Sequence, residues 1–109
     1  MSGPRAGNGI VLILYCIIPF EYDPTKSAAN KDKHGVDFDE AQVLWDDDNR
    51  IEFDARSTDE LRFVTVGRIG EKLWAAFFTI RGDTVRLISV RRARLSESKG
   101  YENNLSSGT

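Results

Sequence analysis

The chain has 109 residues, 40% of them hydrophobic and 29% charged, with a formal net charge of −2, which suits one globular domain and a single core. A lone Cys16 excludes an internal disulfide and a cysteine-based zinc site, and fits a reducing cytoplasm. His34 is the only histidine, which rules out a histidine-rich metal site and a two-histidine acid–base pair.

The net charge hides an asymmetry. Residues 37–60 carry ten acids against two arginines, whereas residues 62–99 carry nine bases against three acids. Such a split predicts one side that faces a polyanion and an acidic side opposite.

In chain order, Ile10 to Ile18 form an unbroken apolar run. It is far shorter than the roughly 20 residues of a membrane helix, and no small-residue cleavage site precedes Pro19. It reads as an extra buried strand or as an upstream extension from a misassigned start, so residues 1–19 stand apart from a domain over 20–102.

Phe20 to Tyr22 can form a short strand. Asp23 is placed to cap a helix that opens at Pro24, runs to about His34 and stops at Gly35, which suits a left-handed cap. Asp37 and Glu40 have capping-box spacing for a second helix, with Phe38, Ala41, Leu44 and Trp45 as its buried stripe and Asp46 to Asp48 as its end.

From Arg50 the period becomes two. Residues 50–55, 60–69, 72–80 and 84–92 read as strands, with tight turns at Gly70-Glu71 and Gly82-Asp83. These turns predict Leu73 opposite both Arg68 and Arg92, Trp74 between Gly67 and Arg91, and Ala76 between Thr65 and Ser89. Arg62, Arg68, Arg81, Arg86 and Arg92 then share one face, and Arg91 projects through the other. Both faces have apolar centres, so helices should cover one and leave the other as an apolar floor with a cationic rim. From Arg94 the chain reads as a short frayed helix, with residues 103–109 a flexible tail. The fold class is α+β: N-terminal helices on a four- to five-stranded, mainly antiparallel sheet, with a short C-terminal helix.

The segments 20–47 and 60–93 resemble the BrnT family, toxins of BrnT/BrnA toxin–antitoxin pairs with a RelE-like fold. The resemblance rests on Lys33-His34-Gly35, the Arg81-Gly82-Asp83 turn, Arg86, and Ile88-Ser89 leading into Arg91-Arg92-Ala93. It runs from about Phe20 to Tyr101, and Val90 stands where Ala is commoner. It implies a small ribonuclease that stops translation by cutting RNA. It also implies neutralisation by a BrnA-type antitoxin with a ribbon-helix-helix DNA-binding domain, through which alone the complex would reach operator DNA. No membrane and no cofactor are implied, and the location is the cytoplasm.

Metal-free RNA cleavage needs a base for the 2′-OH, cations for the phosphorane and an acid for the leaving oxygen. The candidates are His34 as acid or base, with Arg68, Arg91 and Arg92 as the stabilising cations. Lys33 and Arg86 are candidates for backbone phosphates, and Trp74 and Tyr101 for base stacking. Each has a structural alternative: salt bridges to the acidic stretch for the arginines, helix capping for His34, core packing for Trp74. A non-catalytic module that binds nucleic acid or protein through a cationic sheet face accounts for the arginines equally well.

Overall fold

A computed structural model describes residues 18–55 and 61–107. The elements are β1 (Phe20–Glu21), α1 (Pro24–His34), a 3-10 helix (Glu40–Asp46), β2 (Ile51–Asp54), β3 (Phe63–Ile69), β4 (Lys72–Arg81), β5 (Thr84–Arg92) and α2 (Leu95–Ser107). The expected strand at Ile10 to Ile18 lies outside the described residues except for Ile18, which packs against the core.

The class is α+β, with two corrections. The five strands run in the order β1-β5-β4-β3-β2, and β1 lies parallel to β5, so the sheet is mixed rather than mainly antiparallel. A strand also precedes the helices. From β1 on one edge of the sheet the chain crosses a face as α1 and the 3-10 helix, and re-enters at the opposite edge as β2.

Local chemistry explains the helix ends. The Asp23 carboxylate accepts the Thr25 N–H at 2.8 Å, and the Gly35 N–H, at φ 90°, donates to the Lys31 carbonyl. The capping box forms: Glu40 N–H donates to Asp37 Oδ1 at 2.7 Å, and Asp37 N–H donates to Glu40 Oε1 at 3.0 Å. It opens a 3-10 helix instead of the expected α-helix. Ala41 and Leu44, spaced three apart, eclipse on a three-residue turn, and both are buried together with Phe38 just before it.

α1 has no large apolar residue; its buried members are Ser27 and Asn30. Hydrogen bonds dock it. Asn30 Nδ2 donates to the Val36 carbonyl at 2.7 Å, Asn30 Oδ1 accepts the Val90 N–H at 3.2 Å, and Ser27 Oγ accepts the Phe38 N–H at 2.9 Å. β1 pairs with β5 only as far as Arg86, so the Val90 N–H on that edge needs this side-chain acceptor.

Both turns form, and β3 pairs with β4 in the expected register: Thr65 with Ala76, Gly67 with Trp74, Arg68 with Leu73. Between β4 and β5 the expected register holds only near the turn. Phe78 faces Leu87 but Phe77 faces Ser89, leaving Ile88 as an extra residue in a β-bulge. Past the bulge every row is displaced by one, so Trp74 faces Arg92 and Ala75 faces Arg91. The predicted faces of the two arginines are therefore exchanged.

One face of the sheet carries Trp74, Ala76, Phe78, Val85, Leu87 and Val90 beneath the 3-10 helix and the segment leading into it. On the other face Val64, Val66 and Ala75 pack with Tyr101 of α2. That second face is not the bare floor expected, because α2 crosses it. The tail expected from residue 103 continues as helix to Ser107, anchored where Asn104 Nδ2 donates to the Asn49 carbonyl at 2.9 Å.

Candidate functional site

The bulge decides which strand-end arginine is available. Arg91 turns onto the α2 face, 4.9 Å from the centre of the Phe77 ring, and meets Glu97 through two 2.9 Å hydrogen bonds. Their side chains are 22% and 11% exposed, so solvent screens the pair little. Glu97 Oε1 also accepts the Arg94 N–H at 2.7 Å, closing the first turn of α2. The Arg91 hydrogen bond, set against burial and helped by the Arg94 N–H, holds the Glu97 carboxyl below its usual range. The charge of Arg91 is compensated inside the protein.

Arg92 turns onto the opposite face and is exposed, with its guanidinium 5.6 Å from the centre of the buried Trp74 ring. Arg68, also exposed, sits 5.7 Å from the centre of the buried Tyr101 ring. Among the described residues no carboxylate forms a salt bridge with either guanidinium. Each is braced by an aromatic face that orients the cation, and Arg68 also feels the Asp47 carboxylate nearby. The two lie at the same end of the sheet, Arg68 opposite Leu73 and Arg92 opposite Trp74, but on opposite faces: Arg68 projects with Tyr101 and Arg92 with Trp74, so the expected shared face is lost.

Asp47 fixes the Arg68 end. Its Oδ2 accepts the Tyr101 O–H at 2.7 Å and the Arg68 N–H at 2.9 Å, and its Oδ1 accepts the Asn49 N–H at 2.9 Å. β2 reaches only as far as Val66 along β3, which leaves the Arg68 N–H open to this carboxylate. Gly67 permits the approach: a Cβ there would come within 3.3 Å of Asp47 Oδ2 and 3.2 Å of Leu44 Cδ2. Burial raises the Asp47 carboxyl, but the hydrogen bonds from Tyr101, Asn49 and Arg68 outweigh it and leave the pKa lowered. Burial, and then the hydrogen bond to Asp47, push the Tyr101 hydroxyl up.

The other sequence candidates are spread more widely. Lys33 and His34 end α1, where the helix dipole favours a cation. They lie one turn beyond Asn30, which is tied to Val90 just before the arginine pair. Arg86 is elsewhere: roughly 20 Å back along β5 at the usual strand rise, it donates to Glu21 Oε2 at 3.1 Å. Trp74 and Tyr101 are 7% and 2% exposed, so their rings support guanidinium groups and offer no open face to a base.

Sequence reading missed Asp47, Glu97 and Asn30. Glu97 had a signal, three residues after Arg94 at the position of a capping-box glutamate. Asp47 was hidden in Asp46-Asp47-Asp48, which reads as a helix stop. Among the described residues no group of three or more His, Cys, Asp or Glu converges as a metal site, and no helix is long and apolar enough to cross a membrane.

A search of characterised proteins finds no match. The family model described as the ribonuclease toxin, BrnT, of type II toxin–antitoxin systems matches residues 22–97, from the residue before Asp23 to the carboxylate that holds Arg91. With most of its length and both braced arginines inside that match, the chain belongs to the BrnT family of ribonuclease toxins.

Proposed function

We propose that this toxin is a metal-independent endoribonuclease whose RNA substrate rounds the sheet end marked by Arg92 and Arg68, with the reacting phosphate at Arg92. The observation that carries this reading is the exposed Arg92 guanidinium, seated on the buried Trp74 ring and matched by no carboxylate among the described residues. In the reaction the substrate 2′-oxygen attacks the adjacent phosphorus, the bond to the 5′-oxygen breaks, and a 2′,3′-cyclic phosphate and a 5′-hydroxyl result. Arg92 stabilises the phosphorane charge, and Arg68, on the opposite face, holds the strand where it rounds the sheet end. His34 carries one of the two proton transfers and Lys33 adds attraction for the backbone. Arg91 contributes indirectly, by anchoring α2 and hence Tyr101 beneath Arg68. Arg86 is left for backbone contact away from the reacting phosphate.

RNA cleavage of this kind would inhibit translation in the cytoplasm. The partner implied by a type II toxin is an antitoxin. We assign it to the BrnA type, whose ribbon-helix-helix domain would carry the pair to operator DNA.

The test is incubation of purified protein with total RNA in EDTA, beside Arg92→Ala. Cleavage that survives chelation and is lost in the variant is expected. RNA binding without cleavage would instead establish a non-catalytic binding module.

A further inference from the structure

A recess of about 340 Å³ opens between the end of the 3-10 helix and the tip of β3, within the size range of small-ligand sites, roughly 300–1,000 Å³. The exposed Val43 and the Arg68 guanidinium contribute an apolar wall and a cationic plane. At the back, Asp47 and Tyr101 satisfy each other. Asp46, Asn49 and Gly70 complete the lining, and Asp46 and Asn49, unlike the half-buried Asp47, are exposed. Among the described residues no hydrogen bond or ion pair engages the Asp46 carboxylate or the Asn49 side-chain amide.

A ligand for this lining needs a flat face for the guanidinium and two adjacent N–H donors for a carboxylate that can only accept. Unstacked RNA bases are recognised in this way, by stacking on arginine planes and by hydrogen bonds along the Watson–Crick edge. Guanine alone presents two parallel donors there, N1–H and the N2 amino group. Adenine and cytosine each offer one donor beside a ring-nitrogen acceptor that would face the carboxylate. Uracil offers one donor between two carbonyls.

We propose that this recess holds one unstacked guanine of the RNA substrate, stacked on Arg68 and read by the Asp46 carboxylate. Asn49 is within the same lining to meet the O6 side of the base. The assignment rests on the reading of the chain as an RNA-cutting enzyme and adds to it a base preference where the strand passes Arg68. Arg68 serves both roles, because its face meets the base while its in-plane N–H groups remain for phosphate.

The experiment is titration of the full chain with 2′-O-methyl trinucleotides UGU, UAU, UCU and UUU, which lack the attacking hydroxyl and so report binding without cleavage. UGU is expected to bind roughly 10- to 100-fold tighter than the others, the scale of one bidentate base contact. Asp46→Asn should remove that preference, and Asp48→Asn, outside the lining, should keep it. Equal affinity for all four, a preference for another base, or a guanine preference that survives Asp46→Asn would each overturn the proposal. Cleavage of total RNA is assayed in parallel. Guanine preference without cleavage removes the ribonuclease reading and keeps the site, whereas cleavage without guanine preference does the reverse.

Discussion

The Arg91 guanidinium and the Glu97 carboxylate face each other squarely, joined by two hydrogen bonds of 2.9 Å that fasten the first turn of α2 to the end of β5. Removing the cation leaves a carboxylate that is only 11% exposed without its partner. Arg91→Ala is therefore expected to lower stability by roughly 2–4 kcal/mol, the cost of orphaning a largely buried charge. Urea denaturation measures it. An unchanged midpoint would dismiss the anchoring role.

Arg92→Ala should behave in the opposite way. Its guanidinium is exposed and has no carboxylate partner among the described residues, so stability should stay within about 0.5 kcal/mol. Cleavage should fall about 100-fold, the scale of one lost electrostatic contact in the transition state. Single-turnover kinetics on a short RNA, beside circular dichroism, separate the two effects. Wild-type rates in a folded Arg92→Ala protein would move the reacting phosphate elsewhere.

Gly35→Ala tests the cap between α1 and the capping box. Nothing lies within 4 Å of a Cβ added there, so the penalty is backbone strain at φ 90° alone. We expect a loss of about 1 kcal/mol, read as a lower thermal midpoint. Gly35→Asn, which tolerates the left-handed region better, should lose less.

Stability should decline at both ends of the pH scale. The Asp47 and Glu97 carboxyls are lowered in the fold, so their contribution is present above the usual carboxylate range, about 4, and is lost as pH falls through their folded values. The Tyr101 hydroxyl is raised, so its contribution is present below its ordinary value of about 10 and is lost as pH climbs through the folded one. Tyr101→Phe removes the hydrogen bond common to Asp47 and Tyr101. Thermal melts across pH should then show a shallower acid limb and no alkaline limb from this residue.

Much of this architecture could be read from residue order. The caps at Asp23 and Gly35, the Asp37–Glu40 box, the two turns and the β3–β4 register all follow from local rules, and all are present. The bulge was harder, although the pattern carries a trace of it. Val85, Leu87 and Val90 all face the core, and the step of three between the last two breaks the parity of the strand. A reading that kept strict alternation through Leu87-Ile88 inevitably placed Arg91 and Arg92 on each other's faces. The docking of α1 was not legible, because no apolar stripe marks it and Asn30 acts through backbone groups distant in sequence. α2 read as frayed for a related reason. Its sequence is polar, and its anchors, Glu97 to Arg91 and Tyr101 to Asp47, are tertiary.

The two outer strands of the sheet have a bearing on how the protein behaves in a crowded solution. β1 is two residues long and β2 four, and β2 carries the exposed carboxylates of Glu52 and Asp54. Among the described residues, a second copy approaching either rim strand finds few backbone groups to pair with, and at β2 it meets charge of its own sign. Among the described residues, the short β1 and the short, charged β2 disfavour edge-to-edge stacking of sheets, the usual route from a small β-rich protein to an aggregate. The acidic segment that balances the arginines in the sequence thus also acts on colloidal behaviour, at the opposite margin of the sheet from β5.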